Sequence, residues 1–394
     1  MLLPLAAAWL VAAWLLLPSA VPGDLALPRV DSSATFGPAA VAEAARYERF
    51  VHWNWVLSQV ALLAVLAVYA RKGAVFVRES AAGRIGTGML LGMLGLALVW
   101  LSQLPFGLAG HWWDRRHDLT KEGYVSWAFS GWGELGAAFL SICLALLIVM
   151  AIAGKLPNWW WLPGALVFVA IGAAFQLALP YILTAGTTPL RDPELVAAAR
   201  SDERAQGLPR IPIRVEHVSD WTDAANAYAV GLGPSRRVVL WDTLLDGDYS
   251  TPEVHAVLAH ELGHHSSNHL PKGLAWYALF ALPGAFVIAQ VTRRRGGMAR
   301  AEAVPLGLFV VVVLQLVAVP AQNWISRRME SEADWKSLQT THDPRATRSL
   351  FVRFTKDDLA DPSPPTWAYV LFEGHPTLAQ RVGMADAWEK RNGR

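Results

Sequence analysis

Seven long runs without Asp, Glu, Lys or Arg dominate the hydropathy pattern, at residues 2–21, 52–70, 85–110, 135–154, 159–183, 273–291 and 303–323. A helix rises about 1.5 Å per residue, so about 20 residues cross a hydrocarbon layer of about 30 Å, and each run is predicted to be a membrane span. Pro105, Pro163, Pro180 and Pro283 fall inside these runs; bundled membrane helices tolerate proline and kink there. The first run lacks a basic leading segment, and Pro18-Ser19-Ala20-Val21-Pro22 is a poor cleavage site, so it reads as a retained helix rather than a signal peptide.

The rest of the chain is polar. Residues 186–271 and 324–394 are expected to face water, and they flank two spans, which return the chain to the side it left. The predicted organisation is a region of about five spans at 1–185, a first water-exposed part at 186–271, a helix pair at 272–323 and a second part at 324–394. The two polar parts are too small for two independent cores and are expected to form one split domain. Residues 211–218, 227–230 and 237–240 have the alternation and β-branched content of short strands, with Gly231-Leu232-Gly233-Pro234-Ser235 as a turn. The expected fold class is a mainly α membrane protein of about seven transmembrane helices carrying a split α+β domain.

Composition agrees with a membrane protein: 54% of residues are hydrophobic, only 17% are charged, and 19 tryptophans are available to anchor helices at the interface. A net charge of +2 without a basic tract interleaved with aromatics gives no reason to expect a nucleic-acid partner; the expected partner is the lipid bilayer. The single cysteine, Cys143, lies in a span and excludes an internal disulfide. Abundant Ala, Gly, Pro and Arg beside few Lys suggest a GC-rich, bacterial genome, hence a multi-pass protein of a bacterial cell membrane. Arg71, Lys72, Arg78 and Arg84 follow the second span and Arg293, Arg294, Arg295 and Arg300 the sixth, on the face opposite the polar domain. The positive-inside rule makes those loops cytoplasmic, whereas Arg115, Arg116 and Lys121 on the other face weigh against it.

The chemistry concentrates in His260-Glu261-Leu262-Gly263-His264. On a helix, positions i and i+4 share a face, so both imidazoles can reach one tetrahedral Zn²⁺ at about 2.0–2.1 Å. Glu261 then sits beside a water whose pKa the ion lowers to about 7, placed to take its proton. Thr251 and Pro252 read as N-cap and first helical position, and no breaker follows before Pro271. A catalytic zinc needs a third protein ligand and an open fourth position. Position 270, ten residues after His260, is Leu, and His269 misses that register by one, so His265 and His269 read as solvent-facing or helix-end residues.

The better third ligand lies in Ser326-Arg327-Arg328-Met329-Glu330-Ser331-Glu332-Ala333-Asp334. If this stretch is helical, Glu330 and Asp334 share a face and Glu332 points elsewhere. Glu330 can then ligate the ion, while Asp334 holds a ligating imidazole or takes part in proton transfer. The two-span return of the chain is what allows Glu330 to meet His260 and His264.

Four ordered pieces resemble the type I CAAX prenyl proteases, integral-membrane zinc endopeptidases of the gluzincin group. They are Asn226-Ala227-Tyr228 followed by the run from Arg237 to Leu245, the His260-Glu261-x-x-His264 motif, Ser326-Arg327-x-x-Glu330-x-x-Ala333-Asp334, and His375-Pro376 with Arg381. The resemblance covers residues 211–381. It implies one Zn²⁺ per chain on His260, His264 and Glu330, Glu261 as general base and Asp334 as proton donor. It also implies that His375 stabilises the tetrahedral intermediate, that Arg381 lies near the zinc, and that the spans number seven. The resembled eukaryotic enzymes hold their zinc on the cytosolic side, against the loop charges here.

The expected partner is a peptide or protein substrate, membrane-associated or lipidated. Zinc proteases commonly hold an extended substrate against a strand edge, and Asn226-Ala227-Tyr228 is the candidate edge, with Arg381 nearby. A seven-helix receptor, channel or transporter would carry charged residues inside its spans, and the runs contain none. A peptide-binding relative without activity would be expected to lack the base, and Glu261 is present.

Overall fold

The computed structural model describes residues 2–393. In chain order the helices are α1 (Leu2–Leu15), α2 (Ser32–Phe36), α3 (Pro38–Lys72), α4 (Gly83–Arg116), α5 (Tyr124–Lys155), α6 (Trp161–Leu183) and α7 (Pro193–Ala205). They continue as α8 (Thr251–Ser266), α9 (His269–Thr292), α10 (Val304–Thr341), α11 (Pro344–Asp357), α12 (Thr366–Leu371) and α13 (Leu378–Arg391). The strands are β1 (Thr188–Pro189), β2 (Ile213–Glu216), β3 (Ala227–Val230) and β4 (Arg237–Trp241).

Six of the seven apolar runs lie in α3, α4, α5, α6, α9 and α10, and among the described residues these are the 6 helices long and apolar enough to cross a membrane. The first run forms α1, whose 14 residues reach about 21 Å, short of the hydrocarbon thickness. Two of the long helices exceed their apolar runs in an informative way. Helix α3 begins at Pro38, so a polar segment containing Glu48 precedes its apolar stretch, which opens at His52. Helix α10 carries the seventh run and the acidic motif without interruption over 38 residues, so Glu330 lies two turns beyond Asn323 on the same helix.

The described chain divides into two compact units. One comprises Trp53–Gly172 and Trp276–Val319. Its core gathers Leu91, Leu146, Met150, Trp160, Ala289 and Val304. There α4 meets α5 at glycines: a Cβ on Gly88 would fall 2.2 Å from Met150 Sδ, and one on Gly92 2.4 Å from Leu146 Cδ1. Phe129, Leu140 and Val317 are more than 70% exposed, as side chains facing acyl chains must be.

The other unit gathers the chain up to His52, Ala173–Ala275 and the chain from Pro320 onward. Its sheet has the order β1-β2-β4-β3. Strand β2 runs parallel to β4, and β1 and β3 are antiparallel to their neighbours. The short β1 was not expected from the sequence. Ile213, Val215, Val238 and Leu240 join Leu258 and Leu262 of α8 and Phe351 of α11 in one core. Helix α8 is capped one residue earlier than the sequence suggested: Ser250 N–H and Oγ–H both donate to Glu253 Oε2 at 2.8 Å, a capping box with Thr251 and Pro252 inside the helix. It also ends earlier, because Asn268 takes a left-handed φ of 54° and starts α9 in a new direction.

Gly263 sets how closely α8 approaches α10. A Cβ there would meet Lys336 Cβ at 3.2 Å and the Cα and carbonyl oxygen of Ala333 at 3.3 Å. Backbone yields less easily than a side-chain end, so Gly263→Val should push the helices apart and cost about 1–3 kcal/mol. Thermal unfolding in detergent checks this; a midpoint equal to wild type would show that the contact can relax.

Candidate active site

The contact at Gly263 and Ala333 brings His260 and His264 of α8 opposite Glu330 of α10. His260 Nε2 lies 3.2 Å from Glu330 Oε2 and 3.1 Å from His264 Nε2, and His264 Nε2 is 3.6 Å from Glu330 Oε1. Glu330 Oε2 is buried within ion-pairing range of His260 yet lacks hydrogen-bond geometry to any partner among the described residues. Two imidazole nitrogens and a carboxylate thus converge with too few protons to satisfy one another. Tetrahedral ligands at about 2.0–2.2 Å from one ion stand about 3.3–3.6 Å apart. The donor set and spacing therefore fit a single Zn²⁺.

Both imidazoles are held from behind. His260 Nδ1 is 2.9 Å from Asp334 Oδ1, and Arg381 donates to both oxygens of Asp334, from Nε at 2.8 Å and Nη2 at 2.6 Å. Asp334 is 2% exposed, and the Arg381 guanidinium also covers the Phe351 ring at 4.0 Å. His264 Nδ1 lies 2.9 Å from His269 Nδ1, whose Nε2 is in turn 3.1 Å from Glu332 Oε2. His269 is therefore not solvent-facing: it is 4% exposed at the start of α9, turned back by the bend at Asn268. His265 is buried too, its Nε2 3.0 Å from the carbonyl of Arg237 on β4. Counting along a continuous helix missed His269 because the chain leaves the helical register at Asn268, whereas His265 lies within α8 and is buried by its contact with β4. Glu332 points away from the His260 cluster, as its position two residues from Glu330 required.

Electrostatics separate the side chains. Burial opposes charge on His260, but its hydrogen bond with Asp334 and the charges of Asp334 and Glu330 outweigh it and raise the imidazole to about 10. Burial lowers His264 to about 3, with help from the neighbouring imidazoles against Glu330, and keeps it a neutral donor. Burial raises Glu261 to about 7, with Glu330 adding to the rise, while His260, the Ala229 N–H and Arg381 pull the other way. That is the range for a base working near neutrality.

A cavity of about 290 Å³ opens beside Glu261. Asn226 and Ala227 line one side, and His375 and Arg381 line another. His375 is largely exposed, with Nε2 3.3 Å from Glu330 Oε2. Of the expected edge, Tyr228 turns elsewhere: its hydroxyl donates to Glu216 Oε2 at 3.0 Å. Strand β3 is the outer strand of the sheet, so its far side is free of strand pairing. The cavity also meets carboxylates that the sequence reading did not single out, Glu48, Asp358, Asp361 and Glu373.

The sequence profile of peptidase family M48 matches residues 189–389. The chain is 26% identical over 302 residues to the "Uncharacterized metalloprotease YhfN" of Bacillus subtilis, covering 73% of this chain and 71% of that protein. It is 26% identical over 327 residues to a "CAAX prenyl protease 1 homolog" of Oryza sativa subsp. japonica, covering 76% and 74% of the two chains. The fold matches the crystal structure of S. mikatae Ste24p with a TM-score of 0.74 over 96% of each chain at 21% identity.

Burial, with Asp357 adding to it, raises Asp358 to about 7. The folded state then holds a proton that the unfolded chain releases near pH 4, so stability falls as pH rises from about 4 to about 7. Asp358→Asn should unfold at a higher temperature than wild type at pH 8, with the gap closing toward pH 4. Unfolding midpoints measured across that window check it; a gap independent of pH would contradict the assignment.

Proposed function

The chain belongs to peptidase family M48, and from that membership we propose that it is a zinc metalloendopeptidase cutting peptide bonds of membrane-associated or lipidated, CAAX-type, proteins. The carrying observation is the convergence of His260, His264 and Glu330 within 3.1–3.6 Å, with Glu261 beside them. Membership makes the chain a metalloprotease, and the receptor or transporter reading is set aside. It is a multi-pass membrane protein; a bacterial cell membrane is its proposed location. The catalytic parts are proposed to be residues 186–271 and 324–394, with spans at 1–185 and 272–323.

His260, His264 and Glu330 would hold one Zn²⁺, which when bound supplies a Lewis acid that acidifies water to about pKa 7 and polarises a peptide carbonyl. Glu261, buried and raised to about 7, accepts the proton from the attacking water and is placed to pass it to the leaving amine. Asp334 has both oxygens engaged by Arg381 and one also by His260, which favours holding the His260 ring over donating a proton. Arg381 fixes Asp334 and lines the substrate cavity. His375, exposed at the cavity, is placed to donate to the oxyanion. Asn226 and Ala227 offer the outer edge of β3 to an extended substrate backbone, and Tyr228 supports that edge through Glu216.

Glu261→Gln keeps the shape and removes the base. It should retain zinc while peptide hydrolysis falls by about 10²–10⁴-fold; undiminished hydrolysis in that variant would end this assignment. A site carried on crossing-length helices can also take a substrate's apolar part from the bilayer, where each buried CH₂ adds about 0.8 kcal/mol. A peptide with a lipid or hydrophobic tail should therefore be cleaved in liposomes with a much higher kcat/KM than the same peptide without it. Equal values would favour a protease indifferent to membrane attachment.

A further inference from the structure

On α3, Glu48 and His52 are separated by four residues and so share one face of the helix. His52 is buried and Glu48 half-buried, and neither has all the partners such a group needs. Glu48 Oε1 accepts the N–H of Asp361 at 2.7 Å, whereas Oε2 is buried without any hydrogen bond. His52 Nε2 faces that oxygen at 4.0 Å, too far for a hydrogen bond. The His52 side chain is 7% exposed, its ring stacked on Phe372 at 4.4 Å and edge-on to Trp367 at 5.5 Å. Neither ring nitrogen forms a hydrogen bond among the described residues.

Glu373 completes the group. One donor atom from each of Glu48, His52 and Glu373 lies within 4.8 Å of the others. The segment carrying Glu373 is pinned by Arg327, whose Nη1 donates to the carbonyls of Tyr369 at 2.9 Å and Glu373 at 2.6 Å. Arg327 therefore spends these bonds on the backbone, and no Lys or Arg forms an ion pair with Glu48 among the described residues.

We propose that Glu48, His52 and Glu373 form a second metal site, distinct from the catalytic one, that takes a divalent transition-metal ion, Zn²⁺ before harder cations. A single proton shared between the carboxylates would neutralise one charge and leave the buried imidazole unsatisfied. A divalent ion neutralises both carboxylates and uses the imidazole lone pair. One imidazole with two carboxylates is a borderline donor set, which selects zinc-like ions over Mg²⁺ and Ca²⁺, whose preferred shells are oxygen alone. An ammonium group of a substrate entering the cavity would meet the carboxylates, since Glu48 and Glu373 line it, but His52 is not among the lining residues. The ion would tie α3 to the segment two residues before His375, and so fix the position of that side chain.

The test is metal content of the full-length protein in detergent, after dialysis against a buffer of low free Zn²⁺. Wild type should hold two ions per chain. Glu48→Gln with Glu373→Gln should hold one, His52→Ala should hold one, and Glu330→Ala should lose the catalytic ion and keep the second. Because the two ions are removed by different substitutions, failure of the catalytic assignment leaves this one readable. The glutamine pair keeps side-chain shape, and its remaining ion reports an intact fold. One ion per chain in wild type, or two retained in the glutamine pair, overturns the proposal.

Discussion

Three electron-pair donors held against one another in a buried space are the constraint on which the rest of this unit is built. His260, His264 and Glu330 stand 3.1–3.6 Å apart, and no side chain between them can satisfy all three. Such an arrangement is costly unless a cation fills it, because a buried unpaired carboxylate carries its full desolvation penalty. The neighbouring architecture serves to keep the three in place. Gly263 lets α8 and α10 approach, Asp334 and Arg381 fix one imidazole, and His269 with Glu332 fixes the other.

The two supports differ in kind. Behind His260 stands a carboxylate already paired twice by a guanidinium, a rigid and fully compensated group. Behind His264 stands a second imidazole, whose other nitrogen meets a carboxylate that also pairs with Lys272 at 3.5 Å. The first arm links α8 to α10 and α13. The second reaches through the first residue of α9, so the bend at Asn268 belongs to the construction of the site as much as the ligands do.

Local periodicity made most of this legible in the sequence. The placement of His260 and His264 on one face of α8 follows from spacing alone, and six crossing-length helices follow from uncharged runs. The approach of Glu330 to His260 and His264 was readable because two spans return the chain to one side, a topological argument that needs no contact information. What stayed hidden depends on direction changes and distant packing. His269 lies one residue off the expected register and returns to the site only because Asn268 adopts a left-handed conformation. Glu48 sits where α3 extends beyond its apolar run, His52 is the first residue of that run, and Glu373 approaches them from more than three hundred residues away. Tyr228 belongs to the strand expected to offer its main chain as a substrate edge, and the bond of its side chain to Glu216 was not legible in the sequence.

The outer strand has a polarity of its own. Trp241 N–H bonds the carbonyl of Asn226, so by antiparallel alternation Tyr228 also pairs inward, and Ala227 and Ala229 turn their backbone groups away from β4. The N–H groups on that side are already taken, Ala227 by Asn226 Oδ1 at 2.8 Å and Ala229 by Glu261. What remains along the edge is a row of carbonyls. A chain lying there is read by its amide hydrogens, so a proline or N-methylated residue opposite Ala227 or Ala229 brings nothing for those oxygens to accept. With a substrate backbone on this edge, as proposed, the discrimination would be against imino acids and would operate without contacting a side chain.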